Sequence, residues 1–162
     1  MYLGKDMLDK ATYAFKKALK SDPEYDKALY GLGVTYFRSE KYDSSKAVLE
    51  KATELNPENA DAWYNLGIVE IKKEDYAGAV KSLRQYVSLK SDDAHAWFLL
   101  AASLYETENL DGALEAINNA IGLDPTKADY WNYKGLILKK MGKTEEALKA
   151  FEKANKLEKE QK

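Results

Sequence analysis

Bulky and small side chains return along this chain with a period of 34 residues, and few folds tolerate such a rhythm. Trp63, Trp97 and Trp131 stand one period apart, with Leu29 one step earlier in the same column. Gly33, Gly67, Ala101 and Gly135 form a second column, and Leu32, Leu66 and Leu100 a third. Ala79, Ala113 and Ala147 form a fourth, preceded by Ala11 and Ser45. Phe15, Leu49, Leu83, Ile117 and Phe151 form a fifth. Pro23, Pro57 and Pro125 close units, with Ser91 where a further proline would stand.

Each column has a physical reading. The Gly/Ala column lets two helices approach closely, because a larger side chain would hold the backbones apart. The Trp/Leu and Leu/Phe/Ile columns are expected to fill the space between paired helices. Proline has no N–H and clashes with the preceding turn, so it stops the second helix of each unit. Asp22, Asn56 and Asp124, just before the prolines, suit a turn. Along 62–70 the apolar residues recur at helical spacing and strict alternation is missing, so strands are not supported. Each unit therefore reads helix, short turn, helix, proline turn.

Composition narrows the function. The chain has 162 residues, 45% hydrophobic and 32% charged, which suits a single folded domain. The formal charge is −2 and the only arginines are Arg38 and Arg84, so a phosphate-tracking surface and a nucleic-acid partner are not expected. No apolar run approaches the roughly 20 residues that span a bilayer, and the first six residues do not read as a secretory signal. Cysteine is absent, which excludes disulfides and thiolate metal sites and fits a cytoplasmic location.

As a set, these columns resemble the tetratricopeptide repeat family, whose motif runs Trp, Leu-Gly, Tyr, then Ala, Phe, Ala and Pro at set spacings. The unit 26–59 carries Leu32-Gly33, Tyr36, Leu49, Ala52 and Pro57. The unit 60–93 carries Trp63, Leu66-Gly67, Ala79 and Leu83. The unit 94–127 carries Trp97, Leu100-Ala101, Ala113, Ala120 and Pro125, and the unit 128–161 carries Trp131, Gly135, Ala147, Phe151 and Ala154. Glu70 replaces the motif Tyr, Tyr86 an Ala and Lys134 the Leu. The resemblance implies an all-α, right-handed superhelical solenoid of stacked antiparallel helix pairs, with about four full repeats after a partial repeat at 1–25, all in one domain spanning 1–162. Tyr2, Ala11, Phe15, Ala18 and Pro23 are in phase, so a lone second helix is expected at about 7–20. Its apolar face implies either a slice of a longer array, the preferred reading, or cover by another molecule.

In this family the first helix of each unit lines the concave side. The residue after the Trp column, and those four and seven places further on, point into the groove. Carried over, this groove comprises Tyr30, Val34 and Phe37, then Tyr64, Ile68 and Ile71, then Phe98, Ala102 and Tyr105, then Asn132, Leu136 and Lys139. Asn65 and His95 join it, with Lys27, Asp61 and Asp129 at the rim. Arg38, Lys72, Lys139 and Lys140 would attract acidic flanks of a partner. The expected function is a protein-interaction scaffold that binds a peptide or protein segment on this aromatic and aliphatic lining. The alternative is self-association through the N-terminal half repeat. A blander reading of the aromatics is that they pack on one another.

Other chemistry is set aside. The family's clamp for chaperone C-terminal carboxylates needs Lys and Asn, then Asn, then Lys and Arg. The matching residues are Tyr30, Val34, Asn65, His95 and Leu99, of which only Asn65 agrees. His95 is the sole histidine and no cofactor or metal is expected. Asp92-Asp93 and Glu145-Glu146 sit at expected helix starts, where they complement the helix dipole better than they explain acid–base catalysis. Gly31-Leu32-Gly33 lacks the strand and spacing of a phosphate loop, so no enzyme is expected.

Overall fold

A computed structural model describes residues 4–160, and every regular element in it is a helix. Tyr2, Gln161 and Lys162 lie outside the described residues. The elements are α1 (Lys5–Ser21), α2 (Asp26–Arg38), α3 (Tyr42–Leu55), α4 (Ala60–Lys72), α5 (Tyr76–Leu89), α6 (Ala94–Glu106), α7 (Leu110–Leu123), α8 (Ala128–Lys140) and α9 (Thr144–Glu160). They fall into two compact units, Met1–Leu89 with α1 to α5 and Lys90–Lys162 with α6 to α9. The lone second helix expected at about 7–20 is α1. None of the described helices is long and apolar enough to cross a membrane.

In the first unit α2 packs on α3 and α4 on α5, while α1 packs on α2 and α3 on α4. In the second, α6 packs on α7, α7 on α8 and α8 on α9. The small column explains why the hairpins close. A Cβ built on Gly33 would lie 2.6 Å from Leu49 Cγ, and one on Gly67 would lie 2.8 Å from Leu83 Cγ. On Gly135 it would lie 2.5 Å from the Phe151 ring. Leu49 and Leu83 in the first unit and Ile117 in the second are all 0% exposed, so the fifth column supplies enclosed core positions to each unit. Leu66 and Val69 pack on Leu49 in the first unit, and Ala147 and Ala150 pack on Leu138 in the second.

The tryptophans do more than fill space. Each is half-buried, and each indole N–H donates to a carbonyl six residues earlier: Trp63 to Pro57 at 2.8 Å, Trp97 to Ser91 at 2.9 Å, Trp131 to Pro125 at 2.9 Å. The turn between units is thereby tied to the next first helix. Leu29 has no such donor and is buried instead. Capping follows the local residues. Asn59, Asp93 and Asn109 accept backbone N–H groups at the starts of α4, α6 and α7, and Glu145 and Glu146 occupy the first turn of α9.

The turn inside each hairpin also repeats. Glu40, Glu74 and Glu108 have φ of 58°, 59° and 60°, and Gly142 holds the same place with φ 78°. The next residue's N–H returns to a carbonyl five back: Lys41 to Tyr36, Asp75 to Glu70, Asn109 to Leu104 and Lys143 to Leu138, all at 2.9 Å. This is a Schellman ending, whose left-handed residue glycine adopts without strain. A glutamate there carries a left-handed penalty of about 1–2 kcal/mol, partly offset because glycine loosens the unfolded chain. Glu74→Gly is therefore expected to stabilise the protein by about 0.5–1 kcal/mol, read as a higher urea midpoint with an unchanged slope.

Candidate functional site

The residues expected to line a groove fall on α2 and α4 in the first unit and on α6 and α8 in the second. The two faces differ. On α2, Tyr30, Val34 and Phe37 are half-buried and Arg38 is exposed. On α4, Tyr64, Asn65, Ile68 and Ile71 are half-buried and Lys72 is exposed. Spacings of four and three residues keep each set on one side of its helix. The Asn65 amide donates to the Asp61 carbonyl at 2.7 Å and lies 3.5 Å from the Tyr30 hydroxyl. That amide is thus largely committed to its own helix. Tyr64 leans on Tyr86 with ring centroids 4.9 Å apart, and Phe37 on Tyr42 at 5.8 Å. Among the described residues, neither Arg38 nor Lys72 is paired with a carboxylate.

A cavity of about 300 Å³ opens beside this face. Tyr30, Gly31, Val34, Thr35 and Arg38 of α2 form one wall, and Met7, Leu8, Ala11 and Phe15 of α1 the other. The Phe15 ring packs against Gly31, where a Cβ would come within 2.4 Å of its tip. No residue of α1 is buried, whereas Ser45, Leu49 and Ala52 of α3, in phase with Ala11, Phe15 and Ala18, are all 0% exposed.

In the second unit the aromatics consume one another. Phe98 stacks on Tyr130 at 5.2 Å and meets Tyr133 edge-on at 5.3 Å. Tyr133 also meets Tyr105 at 5.7 Å, and exposed His95 lies over Phe98 at 6.1 Å. The Lys140 amine sits 4.3 Å above the Tyr105 ring and 2.7 Å from Glu108, whose hydrogen bond raises its pKa. Asn132 donates to Glu158 at 3.2 Å, Ala102 is half-buried and Leu136 is 43% exposed. Of the expected apolar lining, Leu136 is exposed and the rest is half-buried on all four helices.

A charged cavity of about 410 Å³ among α3, α4 and α5 was not expected from the sequence. Lys46 reaches Asp75 at 2.5 Å, Glu70 at 3.6 Å and Glu50 at 3.7 Å. Glu70 is only 4% exposed and accepts the Ser82 hydroxyl at 2.6 Å. Burial pushes its carboxyl above the usual carboxylate range, against the pull of Ser82 and Lys46. The Lys46 hydrogen bond lowers Asp75 and raises Lys46. The available signal was Glu70 itself, standing where the repeat pattern has Tyr.

A model of the tetratricopeptide repeat matches residues 8–44 and 35–94, and one of the auxiliary subunit of N-terminal acetyltransferase A matches 87–162. No curated protein matches the chain. Among solved structures, it is similar to YrrB, described as a tetratricopeptide protein with an unusual peptide-binding site: 32% identity, 94% of this chain and 78% of that one, TM-score 0.89. It is also similar to MamA, at 29% identity over 97% of this chain and 92% of that one, TM-score 0.88. MamA 41-end from Desulfovibrio magneticus RS-1 shares 26% identity over 95% and 87%, TM-score 0.85. Helix hairpins closed by small residues against an apolar column of 34-residue period, matched by the repeat model over more than half its length, mean that this chain belongs to the tetratricopeptide repeat family.

Proposed function

We propose that this chain is a non-catalytic interaction scaffold that binds a segment of a partner protein on the α2 and α4 face. The observation that carries this reading is the half-buried set Tyr30, Val34, Phe37, Tyr64, Ile68 and Ile71 on two neighbouring first helices, bordered by the exposed cations Arg38 and Lys72. Tyrosine and phenylalanine offer large contact area with few rotors to fix, which makes them efficient anchors. The peptide-binding site named for YrrB, a relative of the same fold, supports the assignment by likeness. The rival occupant of the half-covered α1 face is a second copy of the chain.

Random peptides displayed on phage and selected on the folded chain supply the probe. Tyr64→Ala is expected to weaken the selected binders by about thirtyfold, the loss of a typical anchor worth 2 kcal/mol. Binders that hold their affinity on Tyr64→Ala would remove this face from the function.

A further inference from the structure

We infer that the junction between α3 and the α4–α5 hairpin is a built-in hinge, which lets the two halves of the proposed binding face change their spacing. The inference rests on that proposed function and deepens it by naming how the site adjusts to a partner. Tyr30, Val34 and Phe37 lie on α2, whereas Tyr64, Ile68 and Ile71 lie on α4. The two halves therefore ride on separate hairpins, α2 with α3 and α4 with α5, which meet where α3 packs on α4. At that meeting three repeat columns depart together. Lys46 shares its column with Thr12, Val80, Leu114 and Leu148, and Glu70 shares its own with Tyr36, Leu104 and Leu138. Ser82 stands in a column with Val48, Ala116 and Ala150. Each of the two charges is thus alone in its column.

The second compact unit supplies the comparison. There Leu114 of α7 packs against Leu138 of α8 and Ala150 of α9 in one apolar cluster. At the same three positions in the first unit, Lys46 reaches Glu70 at 3.6 Å and Ser82 donates to Glu70 at 2.6 Å. Glu70 is 4% exposed and Leu138 1%, so a charge is enclosed nearly as deeply as the leucine. The space differs as well. The 410 Å³ cavity opens between Lys46, Glu50 and Thr53 of α3 and Gly78 and Ser82 of α5. Its counterpart beside Trp131 holds 200 Å³ and is lined by side chains of α8 and α9. An apolar junction that opens exposes carbon to water and recovers nothing. When the α3 junction opens, water solvates Glu70 and returns the cost of burying it. Lys46 meanwhile tethers α3 to the turn before α5 through Asp75 at 2.5 Å, so the junction yields without parting. Stacked repeats interact mainly with their neighbours, so one weak junction flexes while the hairpins on either side stay closed.

The chain has no cysteine, so pairs of nitroxide labels can be attached without removing a native thiol. Exposed Ala47 and Gln85 place them across the hinge, on α3 and α5. Exposed Glu115 and Lys153 place them across the matching junction, on α7 and α9. Pulsed electron spin resonance on the free chain is expected to give a distance distribution about twofold broader for Ala47→Cys/Gln85→Cys than for Glu115→Cys/Lys153→Cys. Giving the hinge the side chains of its counterpart, Lys46→Leu with Glu70→Leu and Ser82→Ala, should narrow the first distribution to the width of the second. A saturating phage-selected peptide that depends on Tyr64 should also narrow it in the otherwise unsubstituted chain. Equal widths in the free chain overturn the inference and leave the binding face standing. So does a bound, Tyr64-dependent peptide that leaves the broad distribution unchanged. Binders that hold their affinity on Tyr64→Ala remove the face itself, and with it the use of the hinge, even where the two widths differ.

Discussion

Leu49→Ala is expected to lower stability by about 3–4 kcal/mol, the upper part of the range for truncating a fully enclosed leucine. Leu49 is 0% exposed and packs on Leu66 and Val69, with Trp63 half-buried beside them. Its other side faces Gly33, where a Cβ would sit 2.6 Å from Leu49 Cγ. That contact makes a sharper test possible. In the wild type, Gly33→Ala gains about 1 kcal/mol of helix propensity but forces Leu49 to shift, at a cost of about 1–3 kcal/mol. With Leu49→Ala already present, the new methyl enters vacated space and the propensity gain survives. Gly33→Ala is therefore expected to be harmful alone and helpful in the Leu49→Ala background, a coupling of about 2 kcal/mol in a urea double-mutant cycle. Equal effects in the two backgrounds would mean that the small column does not exist to admit Leu49. Stacked repeats can open unit by unit, so hydrogen exchange on α2 and α3 should report the same loss locally.

That pairing was legible because both partners sit in periodic columns 16 residues apart, and a steric relation repeated along the chain leaves a trace in composition. The same holds for the lone helix α1 and for Asp93 and Glu145 at helix starts. The turn inside each hairpin was not legible. Glu40, Glu74 and Glu108 sit at positive φ without any glutamate signature for it, and only Gly142 in the fourth unit hints at the requirement. The expected lining falls on α2, α4, α6 and α8, but how much of it lies open was not legible. Whether Phe98 or Tyr105 is free for a partner depends on Tyr130, Tyr133 and Lys140, which lie outside the positions the repeat assigns to the groove. Tyr30, Val34, Ile68 and Ile71 on α2 and α4 are half-buried, as are Phe98 and Tyr105, and periodicity alone does not tell which of them a partner can reach. The cavity wall contributed by Met7 and Leu8 was invisible for a related reason, since only Ala11 and Phe15 belong to columns.

Lys46→Met should cost about 2 kcal/mol at pH 7, and the cost should shrink as the pH falls toward about 4. Lys46 serves three carboxylates, Asp75 at 2.5 Å, Glu70 at 3.6 Å and Glu50 at 3.7 Å. Glu50 is exposed and tolerates the loss, but Glu70 is 4% exposed and would be left with Ser82 and the nearby charge of Asp75. Such a carboxylate takes up a proton once that is cheaper than staying charged, which caps the penalty. The signs in the wild type differ between the two acids. Glu70 has a raised folded-state pKa, so it releases its proton later than the unfolded chain does. Its contribution falls as pH rises through the unfolded value near 4.3 toward the folded one, and it opposes folding at neutral pH. Asp75 has a lowered pKa, so its contribution is present above about pH 4 and is lost as pH falls through its folded value. Glu70→Gln should therefore act opposite to Lys46→Met. The amide keeps an acceptor for Ser82 and removes a buried charge, while Lys46 retains Asp75. A gain of about 1 kcal/mol is expected at pH 7, fading below pH 4, where wild-type Glu70 is itself neutral. Urea denaturation of the three proteins at pH 7 and pH 4 separates these outcomes. A loss on Glu70→Gln as large as on Lys46→Met would make Glu70 a net contributor to stability, and its position in place of Tyr would then be a stabilising choice.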